Sequence, residues 1–375
     1  MRFLFLFSDT GGGHRAAAQA VSSELQRLYG NAVQVELLDF FKALGRWPFP
    51  HFPGWYPTMV KYHGIPWGIG YHLTDRQHSV KTLSRLAWPY AGPAIRRMLA
   101  RHPADVIVSF HAVVNYSLQM ALQRRGRRIP LATVVLDLVS IHAAWFAPDY
   151  DLYVVPTDEA RTRALACGAA PERTLVAGMP TRHCFSAATQ LSPSEARACL
   201  GLSPRQPLIL LMGGGEGMGP LEPVIRAIAA RRPPAQLVAI TGNNRALYRR
   251  LTRLDLPAPL RVKGFVPDME IWMRAADLLV TKAGPNTLAE AFITGLPVIL
   301  YDAIPGQEEG NVSYLVEHGA GLWAPHPRQV ATAVTVLLAD TPRRQTLAAH
   351  ARRLARPQAT ETIARRLWQL GARRD

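Results

Sequence analysis

Cysteine is scarce. Cys167, Cys184 and Cys199 are odd in number and widely spaced, which argues against a disulfide framework, and no Cys-x-x-Cys pair offers a zinc site. A reducing compartment is the simplest reading. No two histidines flank a glutamate at helical spacing, so a zinc-protease motif is missing as well. Long apolar runs are also lacking: none reaches the roughly 18 residues of a spanning helix, and Asp9 closes the N-terminal run far short of a signal-peptide core. A membrane, if met, is met from the side. Acidic residues are few, 27 against 43 basic ones, and lysine occurs only at Lys42, Lys61, Lys81, Lys263 and Lys282. The net charge of +16 is therefore mostly arginine, and it favours polyanionic surfaces such as nucleic acid or anionic lipid headgroups.

What is present points to ordinary globular structure. The chain has 375 residues, 48% of them apolar, and no low-complexity tract, so two domains with separate cores are expected. Phe3 to Phe7 is continuously apolar, as in a parallel strand covered on both faces. Ala17, Val21, Leu25 and Leu28 then recur at helical spacing, Gly30 is a credible stop, and Val33, Val35 and Leu37 alternate as a second strand. Residues 1–39 thus read as a βαβ unit. Leu208–Met212, the glycine loop from Gly213 to Gly219 and a helix from Leu221 repeat the arrangement. The expected fold is α/β, with two doubly wound halves joined near 186–205.

Each half therefore places a glycine loop at the carboxyl end of a strand, where open parallel sheets bind ligands. Glycine lets backbone amides approach a phosphate, and a following helix N-terminus adds a favourable dipole. "SDTGGGH" lacks the spacing of a dinucleotide fingerprint, and neither loop carries the Gly-Lys-Ser/Thr of a P-loop. A tight turn made for packing reads the same way; two such loops at equivalent places favour a cleft. A further cradle is readable in Gly284, Pro285, Asn286 and Thr287, leading into a helix from Leu288 with Glu290 in its first turn. There Glu290 suits either the dipole or a ribose diol. Gln307, Glu308 and Glu309 suit sugar hydroxyls or a solvated loop. Asp149 and Asp151 have the Asp-x-Asp pattern of some metal sites, but a motif this short arises often by chance, and Asp151 simply opens the strand Leu152 to Val155. Trp47, Phe49, Phe52, Trp55, Tyr56, Tyr62, Trp67 and Tyr71, broken by Pro and Gly, read as an interfacial aromatic surface or as a satellite core.

"SDTGGGHRAAAQA", "SIHAAWFAPDYDLYVVPTDEA", "GGGEGMGP", "KGFVPDMEIWMRAADLLVTKAGPNTLAEAFITGLPVIL" and "IPGQEEGNVSYLVEHGA" closely resemble, in order and over almost the whole chain, the monogalactosyldiacylglycerol synthases. The resemblance implies a GT-B glycosyltransferase with two Rossmann-like domains facing a cleft. Residues 1–185 would form the acceptor and membrane domain, 186–351 the donor domain, and a helix within 352–375 would pack back on the first. It further implies a UDP-sugar donor, a diacylglycerol acceptor, assistance from anionic lipids, no nucleic acid, no ligated metal and inversion to a β-linkage.

Carried over by residue, Phe265, Val266, Met269 and Arg182 would surround uracil, and Glu290 would bind ribose. Gly214, Gly215 and the Gly284–Thr287 turn would face the diphosphate, and Gln307 and Glu308 the sugar. Gly13 would let the substrates approach the backbone beside His14, which would stand with Asp137 across the cleft. An inverting transfer needs a base for the acceptor hydroxyl. Imidazole titrates near neutrality, so His14 suits the role, with Asp137 orienting it or acting as the base itself. Three positions depart from the family pattern: Leu136 before Asp137 in place of threonine, Asn286 in place of glycine, and Ala143 after His142 in place of proline. The leading expectation is galactosyl transfer from UDP-galactose to 1,2-diacylglycerol by a cytoplasmic enzyme held peripherally on the inner face of the cell membrane. The alternatives are the UDP-glucose equivalent, a lipid-linked peptidoglycan-precursor N-acetylglucosaminyltransferase, and a silent UDP-sugar or polyanion-binding protein.

Overall fold

The computed structural model describes residues 1–10, 12–52, 54, 64–123 and 129–372, with the backbone alone for 64–67. Two compact units emerge: residues 1–182 with 305–307 and 358–375, and residues 183–304 with 308–357.

The first unit runs β1 (Arg2–Phe7), α1 (Gly13–Tyr29), β2 (Gln34–Asp39), α2 (Phe40–Leu44), α3 (Gly64–Thr74), α4 (Gln77–Arg101), β3 (Val106–Ser109), α5 (Asn115–Gln123), β4 (Leu131–Val134), β5 (Leu152–Val155), α6 (Asp158–Ala166) and β6 (Thr174–Val176). Among the described residues these strands make a six-stranded parallel sheet in the order β2-β1-β3-β4-β5-β6. Phe3 to Phe7 are all buried, as a strand covered by helices on both faces requires. The strand order reverses between β1 and β3. There the loops leaving two neighbouring strands diverge to opposite faces and leave a crevice.

The second unit runs α7 (His183–Ala188), α8 (Pro193–Cys199), β7 (Leu208–Met212), α9 (Leu221–Ala230), β8 (Gln236–Ile240), α10 (Arg245–Leu251), β9 (Leu260–Lys263), α11 (Met269–Ala275), β10 (Leu278–Lys282), α12 (Pro285–Thr294), β11 (Val298–Asp302), α13 (Glu309–Glu317), β12 (Gly321–Trp323), α14 (Pro327–Ala339) and α15 (Thr341–Leu354). Its described strands form a parallel sheet in the order β12-β11-β10-β7-β8-β9, which places the reversal between β7 and β10. Helix α9 shows why such helices dock. Leu221, Val224, Ile225, Ile228 and Ala229 recur at 3.6-residue spacing, and all are buried in one core with Leu211, Leu237 and Val334. The segment 186–205, read from sequence as a join, holds α8 and the end of α7.

The last helix, α16 (Ala359–Ala372), belongs to the first unit. Trp368 stacks on Tyr29 of α1 with centroids 4.2 Å apart, Arg27 lies 3.6 Å from Glu361, and Thr360 Oγ1 accepts from the Thr181 amide at 2.9 Å.

Candidate active site

In the first unit the crevice between β1 and β3 holds the glycine loop read from sequence. Gly11 lies outside the described residues. Gly12 adopts φ 75°, a left-handed conformation that favours glycine, and caps α1, so Gly13 and His14 occupy the helix's first turn. The loop is anchored by Asp9. Arg15 Nε and Nη2 each donate to its carboxylate at 2.7 Å, and Lys42 Nζ donates at 2.6 Å. The Arg15 hydrogen bonds lead in holding the Asp9 carboxyl far below the usual range, with Lys42 adding to the effect.

His14 Nδ1 lies 2.7 Å from the carbonyl oxygen of Phe110, the residue that follows β3. A carbonyl only accepts, so Nδ1 carries the hydrogen and Nε2 of the neutral ring keeps its lone pair. Removal from water pushes the His14 pKa down to about 4, although the Phe110 bond opposes the shift. The positive end of α1 disfavours the imidazolium in the same direction.

Asp137 follows β4 by three positions and is buried. Its Oδ2 accepts from Trp145 Nε1 at 2.7 Å, and Gln307 Nε2 approaches Oδ1 at 3.4 Å. The Trp145 ring lies 6.4 Å from that of His14. His14, Trp145, Asp137 and Gln307 thus form a chain of neighbours within the first unit. Loop 137–146 is braced by α3 and α4. Tyr71 Oη donates to the Ser140 carbonyl at 2.9 Å, Thr74 Oγ1 meets His142 Nε2 at 3.1 Å, and Gln77 Nε2 donates to the Phe146 carbonyl at 2.8 Å. His142 Nδ1 also accepts from the Ala144 amide at 3.1 Å, so Ala143 sits inside a short capped turn.

Asp149 and Asp151 are structural. Asp149 accepts from Gln119 and Gln123 at 3.1 Å each, and Asp151 Oδ2 accepts from the Leu131 amide at 3.0 Å, fixing the start of β4.

In the second unit the crevice lies between β7 and β10. The loop after β7 carries Gly214 and Gly217 at φ 73° and 54°. It is tied to the loop after β8: the Asn243 amide donates to Gly215 at 2.8 Å, and Asn244 Nδ2 donates to Gly217 at 3.0 Å. The loop after β10 carries Gly284 as the cap of α12. A side-chain carbon at Gly284 would come within 3.3 Å of Lys282 Nζ, and one at Gly214 within 3.5 Å of its Cε. Both glycine loops therefore converge on one ammonium group, whose position follows from a register shift between Thr281 and Lys282 in the β10–β11 ladder. Lys282 Nζ donates to Glu308 Oε1 at 2.5 Å, and Glu308 Oε2 accepts from the Ile304 amide at 3.0 Å. Glu308 is thus engaged through both oxygens. Burial raises the nearby Asp302 carboxyl, with the Glu308 charge adding to it.

The remaining residues named from sequence are spread along the same strand ends. Phe265 and Val266 follow β9, Phe265 with 67% of its surface exposed, and Met269 opens α11. Arg182 is an exposed residue closing the main segment of the first unit. Pro285, Asn286 and Thr287 form the first turn of α12. Because this helix starts at Pro285 and not at Leu288, Glu290 falls in its second turn, and the dipole role read for it from sequence loses its basis. His111, Trp145 and Lys282 were not singled out from sequence. A five-lysine chain with one lysine at the end of a buried strand, just before a glycine turn, carried the available sign for Lys282.

Residues 14–181 match the family profile described as monogalactosyldiacylglycerol (MGDG) synthase, and residues 208–364 match the glycosyltransferase family 28 C-terminal domain. A probable monogalactosyldiacylglycerol synthase 2, chloroplastic, of rice (Oryza sativa subsp. japonica) is 38% identical over 98% of this chain and 80% of its own length. The spinach monogalactosyldiacylglycerol synthase, chloroplastic, is 36% identical over 98% and 72%. Among solved structures, MurG of Acinetobacter baumannii superposes with a TM-score of 0.63 at 16% identity over 98% of this chain and 99% of that one. The calicheamicin glycosyltransferase CalG4 gives 0.61 at 16% over 100% and 99%. Fold and strand-end loops together define a GT-B glycosyltransferase, an enzyme that uses a UDP-sugar. The chain belongs to the monogalactosyldiacylglycerol synthase family. The expectation of a cytoplasmic enzyme on the inner face of the cell membrane is overturned by these relatives, which are chloroplastic. No described helix is long and apolar enough to cross a membrane.

Proposed function

We propose that the protein transfers galactose from UDP-galactose to the free hydroxyl of 1,2-diacylglycerol at a membrane surface, with inversion. The observation that carries this reading is the Nδ1 contact between His14 and the Phe110 carbonyl, in a chain of this family. It leaves Nε2 as a proton acceptor in a ring that burial keeps neutral. As the lipid oxygen attacks the anomeric carbon, its proton passes to His14 Nε2 and the bond to the UDP oxygen breaks on the opposite face of the sugar. Asp137, fixed by Trp145, orients the acceptor or the sugar beside the ring.

In the second unit, exposed Phe265 offers a face for uracil, with Val266 and Met269 completing the base site there, and Glu290 accepts from the ribose diol. The departing diphosphate is met by Lys282, the Gly214–Gly215 backbone and the first turn of α12, and a ligated metal has no part in this reading. Gln307 meets the sugar, and Glu308 acts by holding Lys282.

Glu290→Ala is expected to weaken UDP binding about 10-fold to 150-fold, since a hydrogen bond to a charged group is worth roughly 1.5–3 kcal/mol. Calorimetry checks this, and an unchanged affinity would return Glu290 to an ordinary helix charge.

The lipid-facing surface in this reading lies on α4 and its neighbours. Leu83, Leu86 and Tyr90 recur on one face of α4 and are exposed, Leu86 by 73%, while Trp47, 70% exposed, lies beside Tyr90. Ile69 and Leu73 of α3 are exposed as well. Of the aromatic stretch read from sequence, Phe52 packs on Phe41 and Phe49 on Tyr90, with centroids 4.9 Å and 5.8 Å apart. Trp55, Tyr56 and Tyr62 lie outside the described residues, and only the backbone is described at Trp67. With the net charge of +16, this face is expected to bind anionic vesicles in a salt-sensitive way. Sedimentation at low and high salt checks it, and equal binding to neutral and anionic vesicles at both would remove the electrostatic part.

The donor is tested by offering labelled UDP-galactose, UDP-glucose and UDP-N-acetylglucosamine in parallel with diacylglycerol vesicles and resolving the lipids by thin-layer chromatography. Galactolipid in clear excess is expected. Glucolipid in excess would overturn the donor, and no glycolipid from any of the three would overturn the reading.

A further inference from the structure

We propose that His111 is a positioning residue for the transfer reaction: an imidazole pinned between Thr10 and Val113 that holds the ring of His14 and the carbonyl that orients it. This rests on the reading of His14 as the base. His111 follows β3 and enters the same crevice from the other side of the β1–β3 junction. Its ring centroid lies 4.7 Å from that of His14, with the planes tilted by 55°. Its Nδ1 accepts from the Val113 amide at 3.3 Å, which caps the turn at 112–114. The hydrogen of the neutral ring therefore sits on Nε2, which faces Thr10 Oγ1 at 3.3 Å, at the end of the glycine loop's approach.

The two histidines thus have complementary tautomers. His14 carries its hydrogen on Nδ1, and His111 carries its hydrogen on Nε2. The peptide joining Phe110 to His111 presents the carbonyl that orients His14. That peptide is held on both sides: the Phe110 amide donates to Leu6 at 2.8 Å, and Ser109 Oγ donates to the His111 carbonyl at 3.1 Å. The Phe41 ring meets His111 edge-on at 5.7 Å and closes the far side.

Protonating His111 would break the Val113 contact and place a cation against the ring that takes up the acceptor's proton. Burial, with the His14 charge adding to it, holds its pKa well below the ordinary range. Of the acidic groups around the pair, Asp9 is paired with Arg15 and Lys42, Asp39 lies 3.8 Å from Lys42, and Asp137 accepts a hydrogen bond from the neutral indole of Trp145. With its Nδ1 already occupied by the Val113 amide, His111 leaves the proton that the reaction moves to His14.

The test compares His111→Ala, His111→Asn, Thr10→Val and His14→Ala in the vesicle assay, with kcat and KM measured across pH and UDP affinity by calorimetry. His111→Ala is expected to lower kcat by about 10²-fold, the usual effect of a misplaced group, with UDP affinity unchanged. Water entering beside His14 should also move the acid limb of kcat/KM upward toward the ordinary imidazole value of roughly 6.5. His111→Asn keeps an acceptor for the Val113 amide and should recover part of kcat. Thr10→Val should shift both quantities less, in the same direction, and it carries the test if His111→Ala does not fold. Unchanged kcat and an unchanged acid limb in either variant would overturn the proposal, as would a lower kcat with the limb fixed. If His14→Ala keeps its turnover, the base assignment itself fails; if it loses turnover while the His111 and Thr10 variants behave as the native enzyme, only the role of His111 falls.

Discussion

His14→Ala is expected to lower glycolipid formation by about 10²–10⁴-fold, the usual contribution of a general base, while UDP affinity and melting temperature change little. The size follows from the geometry. His14 Nε2 is the acceptor left available once Nδ1 is committed to the Phe110 carbonyl at 2.7 Å. The pH dependence has a definite sign. Transfer requires the neutral ring, so the rate rises with pH through the His14 pKa and is flat above it. With that pKa at about 4, the base form dominates throughout the neutral range. The same depression acts on stability. The unfolded chain binds a proton at His14 near its ordinary value and the folded chain does not, so the fold loses stability as pH falls from the ordinary imidazole range toward 4. If His14→Ala keeps most of its turnover while Asp137→Ala abolishes it, the base is the carboxylate.

Lys282→Ala is expected to cost about 3–5 kcal/mol of stability, the usual effect of removing one partner of a buried ion pair, and to weaken UDP binding as well. Lys282 is 13% exposed and Glu308 4%, so deleting the ammonium leaves a carboxylate with little access to water. The two effects separate in the double variant Lys282→Ala/Glu308→Gln. Removing the orphaned charge should restore most of the melting temperature, but UDP affinity should stay low because the diphosphate has still lost its cation. Recovery of both would confine Lys282 to a structural role.

Much of the architecture is legible in particular stretches. Phe3–Phe7 and Leu208–Met212 are continuous apolar runs that end in glycine turns followed by helical periodicity. That sequence of signals fixes a buried parallel strand, a loop at its carboxyl end and a helix start, and it brought His14 and Gly214 to notice. Sheet order has no such local record. Nothing in the periodicity around Val106–Ser109 says that β3 lies beside β1, yet that adjacency brings Phe110 and His111 to a histidine 96 positions earlier in the case of Phe110. Trp145 is hidden for a similar reason. Its indole reaches Asp137 only because loop 137–146 folds back on itself under the bracing of α3 and α4. The start of α12 lies three residues earlier than the sequence suggested: Pro285 suits the first helical position, where its missing amide hydrogen is not needed. Lys282 lies one residue beyond a register shift, a feature of strand pairing that a single sequence does not display.

A single inverting displacement that makes a galactolipid is tested most directly by the anomeric configuration of the product. The purified enzyme is incubated with UDP-galactose, whose sugar is α-linked, and diacylglycerol vesicles, and the glycolipid is isolated for proton NMR. The predicted product is β-galactosyl diacylglycerol alone, with the configuration inverted. An α-linked galactolipid would contradict a single attack assisted by a His14 base.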